Sequence, residues 1–284
     1  MSGFSFVQIS DHHLGESEQT KRKGFLPAYA FRAVFRDITE RWSDQIDFIV
    51  STGDLVLGAT EPEYESVCRM LNMQAVSPPP GPQLISIEGL QGFPMYFIPG
   101  NHDDAVQFSR CLFHHTPQGD RLHLSFRHKG VHFVSPDWGP EEPGGLGPDT
   151  APELAAWLAE TIQPGEPTII LIHYAPLLLP NRWKEDMVPR NLERFWRVLE
   201  GRTNILGILV GHIHQTFEAE VSGHKVFGVA STCYQQILHN DEYVRALLPL
   251  AYRLVTVEDG ELTTTIHEVD LPLGRKHELR EQPR

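Results

Sequence analysis

Cysteine is scarce in this chain. Cys68, Cys111 and Cys233 are the only three in 284 residues, far apart and odd in number. Without a Cys-x-x-Cys pair, neither a thiolate zinc cage nor a disulfide framework can organise the fold, and a reducing compartment suits the sequence. Long apolar runs are missing as well. No stretch approaches the roughly 20 residues that a membrane-spanning helix needs. The N-terminus is already strand-like, without a basic segment or a cleavage site, so no secretory signal is expected and the protein reads as cytoplasmic, with no membrane partner. Positive charge is the third deficit: 24 Lys and Arg stand against 37 Asp and Glu, a formal net charge of -13. Such a surface repels phosphate backbones, so a nucleic-acid polymer is not the expected partner. A small anion held at a local site remains compatible with it.

What the chain does have is one pattern written five times, an apolar run ending abruptly in Asp, Asn or His. Phe4 to Ser10 runs into Asp11-His12-His13, and Ile46 to Val50 leads to Gly53-Asp54. Met95 to Pro99 leads to Gly100-Asn101-His102-Asp103, Thr168 to Ile172 to His173, and Ile205 to Val210 to Gly211-His212-Ile213-His214. Short apolar runs bounded by polar turns read as buried strands. Between them, helices are expected over Pro27–Trp42, Glu61–Asn72, Ala105–His114, from Pro152 to about Thr161, and over Asn191–Glu200. Leu122–Arg127 and Val131–Val134 read as a strand pair.

After His214 the character changes. Thr216–Val221, Lys225–Ala230, Tyr252–Val257 and Leu262–Val269 are β-rich, Asp259-Gly260 supplies a hairpin turn, and mostly antiparallel pairing is expected. Ser77–Gly92, with Pro78-Pro79-Pro80-Gly81-Pro82, reads as an inserted loop, and Gly139–Thr150 as a second Gly/Pro loop. The expectation is one domain over residues 1–274, with a frayed, charged tail over 275–284.

In open α/β sheets, ligands gather where strands end, because loops from several strands converge there on a rigid base. The strand-end inventory here is Asp11, His13, Asp54, Asn101, His173, His212 and His214. Oxygen and imidazole donors without thiolate suit Mn, Fe or Zn ions. Seven donors are too many for one tetrahedral ion and suit two ions if one carboxylate bridges. Two ions about 3.5–4 Å apart can hold a bridging hydroxide and clamp an in-line displacement at phosphorus. The neighbouring imidazole of His102 is placed to protonate a leaving oxygen.

These residues resemble the calcineurin-like metallophosphoesterase superfamily, with Asp-x-His at 11–13, Gly-Asp at 53–54, Gly-Asn-His-Asp at 100–103, His173 and Gly-His-x-His at 211–214 in the family's order. Any one motif alone is weak, since a lone Asp after a strand is ordinarily a turn former or a helix cap. The tail is similar to class III cyclic-nucleotide phosphodiesterases, in Ala230-Ser231-Thr232-Cys233-Tyr234-Gln235-Gln236 and in the closing hairpin. The resemblance implies an α/β (α+β) fold, a four-layer α/β/β/α sandwich with a β-rich C-terminal part. It also implies that Asp11, His13 and His214 hold a first metal, that Asp54 bridges, and that Asn101, His173 and His212 hold a second. His102 would be the acid, and Asp103 would orient it. The aligned ligand is then His13 rather than His12. Two divalent or trivalent ions are expected as cofactors, and a homodimer by analogy.

The activity implied is a phosphodiesterase for small diesters, 3′,5′-cyclic nucleotides among them. Phosphomonoesters, glycerophosphodiesters and nucleotide pyrophosphates stay open as substrates, and a non-catalytic binding module on the same fold is the rival from another class. Arg182, Trp183 and Lys184, on the loop after His173, are candidates to meet a phosphate or stack a base, and His239 is a candidate to reach the cleft. Each also reads as ordinary surface. Cys233 reads as a small packed residue rather than a nucleophile.

Overall fold

The computed structural model describes residues 3–22, 24–71, 85–86, 94–117, 119–143, 146–179, 188–239, 242–246 and 248–270. Arg182, Trp183, Lys184, most of the Ser77–Gly92 segment and the tail after Asp270 lie outside the described residues.

Two six-stranded sheets are built from the runs read in the sequence. The first holds β1 (Phe4–Ile9), β2 (Phe48–Ser51), β3 (Ile85–Ser86), β4 (Pro94–Phe97), β13 (Leu250–Glu258) and β14 (Glu261–Val269), in the order β14-β13-β1-β2-β4-β3. The second holds β5 (Leu124–His128), β6 (Val131–Ser135), β7 (Thr168–Ile172), β8 (Ile205–Val210), β9 (Phe217–Val221) and β10 (His224–Gly228), in the order β5-β6-β7-β8-β10-β9. β1 pairs parallel with β2, and β2 with β4, while β6, β7, β8 and β10 run parallel in the other sheet. The carboxyl ends of β1, β2 and β4 therefore lie side by side in one sheet, and those of β7 and β8 in the other.

Alternation decides which side chain faces which layer. On β7, Ile169 and Leu171 join the core between the sheets, while Ile170 and Ile172 join the cluster beneath α4 (Pro152–Thr161) and α5 (Leu192–Leu199). Both faces are buried, which is why the run reads as continuously apolar. The other outer face packs against α1 (Pro27–Trp42), α2 (Glu61–Met70) and α3 (Ala105–Phe113), through residues such as Phe31, Val67 and Phe108. Between the sheets lies an aromatic seam. Phe133 of β6 meets Phe6 and Phe48 edge-on, with ring centroids 5.5 and 5.6 Å away, and stacks on Phe126 at 4.6 Å. The layers are thus helix, sheet, sheet, helix.

Two differences from the sequence reading have local causes. Ile85–Ser86, inside the segment read as a loop, pairs antiparallel with β4, because the sheet edge offers unpaired backbone groups to any extended dipeptide. The mostly antiparallel back half is as expected: β9 pairs antiparallel with β10, and β13 with β14, while β10 also pairs parallel with β8 on its other side. A further hairpin, β11 (Gln235–His239) with β12 (Glu242–Ala246), forms a small sheet of its own. Its polar residues hide the period-2 signal. Among the described residues, no helix is long and apolar enough to cross a membrane.

Candidate metal centre

The loops after β1 and β2 are laced together by their backbones. Asp11 N donates to Gly53 O at 3.0 Å, and the N–H groups of His12 and His13 both donate to Asp54 O, at 2.8 and 3.0 Å. Turning so sharply puts Asp11 (φ 56°), His13 (φ 49°) and Asp54 (φ 54°) in the left-handed region, and His212 (φ 67°) and His214 (φ 54°) repeat the device in the second sheet. Strained non-glycine residues of this kind cluster at functional sites. Gly53 (φ +100°) leaves the space a side chain would take from the His173 ring, 2.5 Å from its Nδ1. The two sheets are tied at this edge by Gln8, whose Nε2 donates to Thr52 Oγ1 and to Val210 O, both at 3.1 Å.

The seven residues of the strand-end inventory converge here in two groups. In the first, His214 Nε2 lies 3.3 Å from Asp11 Oδ1 and 3.0 Å from His13 Nε2, and His13 Nε2 lies 3.7 Å from Asp54 Oδ2. One donor atom from each of Asp11, His13, Asp54 and His214 falls within 4.8 Å of all the others. In the second group, His173 Nε2 lies 3.2 Å from Asp54 Oδ1 and 2.8 Å from Asn101 Oδ1, and His212 Nδ1 is 2.9 Å from the same amide oxygen. Asp54 gives one oxygen to each group.

The protonation pattern shows what the cluster could hold. His214 Nδ1 donates to Tyr234 O at 2.7 Å, and His173 Nδ1 donates to Thr52 O at 2.8 Å. Each ring is thereby fixed in the tautomer whose bare Nε2 faces inward, toward carboxylate and amide oxygens that are themselves acceptors. Lone pairs facing lone pairs at 2.8–3.3 Å call for a cation or extra protons. Burial opposes a charge on His173, yet Asp54 and Asp11 hold its pKa up to about 9, so the local potential is strongly negative. Burial would raise the Asp11 carboxyl, but His214 and His173 keep it well below the usual range. Burial, with His173 adjacent, pushes His212 down to about 3, leaving a neutral imidazole. The donor set therefore fits hard or borderline cations.

His12 is turned away from this cluster. Its Nδ1 pairs with Thr232 Oγ1 at 2.6 Å, its Nε2 with Ser51 Oγ at 2.8 Å, and its ring meets Phe31 edge-on. His102 stands on the rim, half-buried, its ring edge-on to His13 at 5.2 Å. Its backbone N–H donates to Asp54 Oδ1 at 2.9 Å, and its Nδ1 is 3.1 Å from Leu57 O. That carbonyl accepts a hydrogen bond from Nδ1–H, which leaves Nε2 as the ring atom for other partners. Asp103 does not make the contact with His102 that the sequence suggested. Its carboxylate accepts from the N–H groups of Gly100, Leu55 and Val56 and from the Tyr64 hydroxyl, so it clamps the two loops that carry Asp54 and Asn101.

Three contributors escaped the sequence reading as individual site residues. Tyr234 stacks on His13, with centroids 5.5 Å apart, and closes one wall. Tyr174 packs its ring 4.6 Å from His212, and Glu141 accepts from the Asn101 side-chain amide at 3.3 Å. Tyr174 adjoins His173 in sequence, which is a usable signal, whereas Glu141 lies in a Gly/Pro loop and gives none. Cys233 packs with Phe25 and Tyr234.

The family model for calcineurin-like phosphoesterases matches residues 4–216. The chain is 27% identical to a 3′,5′-cyclic-nucleotide phosphodiesterase of Nostoc sp., over 95% of this chain and 94% of that one. It is 24% identical to the 3′,5′-cyclic adenosine monophosphate phosphodiesterase CpdA of Vibrio vulnificus, over 94% and 91% respectively. The structure of a dimetal phosphatase from Danio rerio superposes with a TM-score of 0.57 at 16% identity, covering 92% of this chain and 98% of that one, a likeness of fold. With the matched span running from β1 through all the strand-end donors to the Gly-His-x-His segment, the chain belongs to the calcineurin-like phosphoesterase family.

Proposed function

We propose that this protein is a dinuclear metal-dependent phosphodiesterase for small diesters, with 3′,5′-cyclic nucleotides as the foremost candidates. The observation that carries the reading is the pair of donor groups sharing Asp54, with His102 on their common rim. The near full-length similarity to two enzymes named for cyclic-nucleotide hydrolysis supports the substrate class.

Asp11, His13 and His214 would hold one ion, Asn101, His173 and His212 the other, and Asp54 would serve both. Mn, Fe and Zn all suit oxygen and imidazole donors. Bound there, such ions supply Lewis acidity, which acidifies water and neutralises charge on phosphoryl oxygens. The chain's own part is to place the donors and to manage one proton. The carbonyls of Thr52 and Tyr234 lock two ligand imidazoles in the binding tautomer. With its Nδ1–H held by Leu57 O, His102 would offer Nε2–H to the leaving oxygen and pass it the proton as the P–O bond breaks. The separated cysteines suit a reducing, cytoplasmic setting for such an enzyme.

The test is parallel hydrolysis of 3′,5′-cyclic AMP, bis-p-nitrophenyl phosphate and p-nitrophenyl phosphate after chelation and Mn²⁺ reconstitution, together with Asp54→Ala and Asn101→Ala. Mn²⁺-dependent cleavage of the diesters over the monoester, lost in both variants, is expected. Monoester preference would move the activity to a phosphatase, and full turnover with one ion per chain would sink the dinuclear reading. Sedimentation of the same preparation checks for the homodimer.

A further inference from the structure

An asparagine is an unusual metal ligand because its two ends look alike in shape and differ in chemistry. Only the carbonyl oxygen binds a cation, and a flipped amide presents an NH₂ group instead. Asn101 Oδ1 lies between His173 Nε2 (2.8 Å) and His212 Nδ1 (2.9 Å), where a ligand oxygen belongs. Nothing within the Gly100–Asp103 turn fixes that choice. The amide's other end does: Asn101 Nδ2 donates to Glu141 Oε1 at 3.3 Å.

We infer that Glu141 is a positioning residue for Asn101, an acceptor that holds the amide with its oxygen toward the second metal position. The inference rests on the dinuclear reading above. An ionised carboxylate only accepts, so a flipped Asn101 would set oxygen against oxygen at Glu141 and turn NH₂ instead of oxygen toward the second metal position.

The loop carrying Glu141 is built to deliver it. Gly139 N donates to Asp137 Oδ1 at 2.7 Å, and the Arg121 guanidinium packs where a Gly139 side chain would be. Glu142, the next residue, is held from the other side: its backbone N–H donates to Leu146 O at 2.9 Å, and its carboxylate pairs with Arg190. Arg190 Nε in turn donates to Gly147 O at 3.1 Å. With Glu142 pinned outward, Glu141 faces the centre. Tyr174 shares this corner, its buried hydroxyl without a hydrogen-bond partner among the described residues and its ring against His212.

The experiment titrates the metal-free chain with Mn²⁺ by calorimetry, for wild type, Glu141→Ala and Glu141→Gln, with thermal unfolding of each as a control. Outer partners of metal ligands typically change affinity by about 10–100-fold. Glu141→Ala should therefore weaken the second Mn²⁺ by roughly tenfold or more and leave the first unchanged. Its turnover should recover at high Mn²⁺. Glu141→Gln keeps an acceptor oxygen and should regain most of the loss. Wild-type affinity for both ions in Glu141→Ala overturns the inference while leaving the dinuclear reading intact. Equal loss in both variants also overturns it, because the charge rather than the hydrogen bond would then matter. A wild-type chain that takes up a single ion overturns the dinuclear reading and the inference with it.

Discussion

Removing the Asp103 carboxylate should loosen both ligand loops at once, and the structure allows the size of that effect to be worked out. Its Oδ2 accepts from Gly100 N (2.9 Å) and Leu55 N (3.1 Å), and its Oδ1 from Val56 N (3.4 Å) and the Tyr64 hydroxyl (3.1 Å). Leu55 and Val56 are fully buried, so their N–H groups have no water to turn to. Asp103→Ala orphans three backbone donors at about 1–3 kcal/mol each. Water entering the vacated space relieves part of this, leaving a loss of about 3 kcal/mol or more. For a chain of this size that is a drop in Tm of roughly 6–12 °C. Asp103→Asn is gentler. Its oxygen keeps the bonds from Gly100 and Leu55 when NH₂ takes the Oδ1 side, which strands Val56 N–H and the Tyr64 O–H, two donors instead of four, at about 1–3 kcal/mol each. Burial and the nearby Asp54 push the Asp103 pKa up to about 7, so calorimetry and urea unfolding should be run at pH 8 or above, where the carboxylate is ionised. An Asp103→Ala chain that unfolds at the wild-type midpoint would refute the clamp.

Three further outcomes are expected. His102→Ala should lower turnover by about 10²–10⁴-fold, most for substrates with poor leaving groups, with metal content by elemental analysis unchanged; a uniform loss across leaving groups would contradict the acid role. Phe133→Ala, at the fully buried centre of the inter-sheet seam, should cost about 3–5 kcal/mol in urea unfolding without a change in slope, and a loss below that range would mean that the sheets repack. Burial lowers the His123 pKa below its ordinary 6.5, and its Nδ1 accepts from Asp137 N at 3.0 Å, a bond that protonation breaks. The unfolded chain then takes up the proton first. The stability tied to the neutral ring is complete above pH 6.5 and drains away as pH falls through the folded value. Titration of this ring by NMR should find a pKa under 6.5, and a higher value would reverse the sign.

The sequence shows most clearly what short-range chemistry dictates. Five apolar runs buried on both faces cannot be mistaken for loops, and the abrupt polar residues that end them fall on one edge because parallel strands place like ends together. The helices from Pro27 and Pro152 announce their starts, and α2 adds a Thr60–Glu63 capping box. Other features depend on contacts between distant segments. Nothing in Asp11-His12-His13 says which histidine turns inward. That is settled by left-handed backbone at Asp11 and His13 and by hydroxyls at Ser51 and Thr232 that occupy His12. The β11–β12 hairpin hides behind polar residues. Glu141 meets Asn101 from 40 positions away, so no local pattern could reveal it.

The partition of donors between the sheets explains why the centre cannot form piecemeal. Asp11, His13, Asp54 and Asn101 follow strands of the first sheet, and His173, His212 and His214 follow strands of the second. Each donor group draws on both: Asp11, His13 and Asp54 meet His214, while Asn101 and Asp54 meet His173 and His212. Neither group is complete until the sheets dock, and docking is driven by the Phe6–Phe48–Phe126–Phe133 seam and keyed by Gln8, which spans from β1 to Val210. A cation that binds only the docked pair stabilises the native state by mass action. Metal should therefore protect the inter-sheet core as a whole. In hydrogen exchange, Mn²⁺ should slow the amides of β1, β2, β7 and β8 together, and protection confined to the ligand loops would show that docking precedes and is independent of the metal.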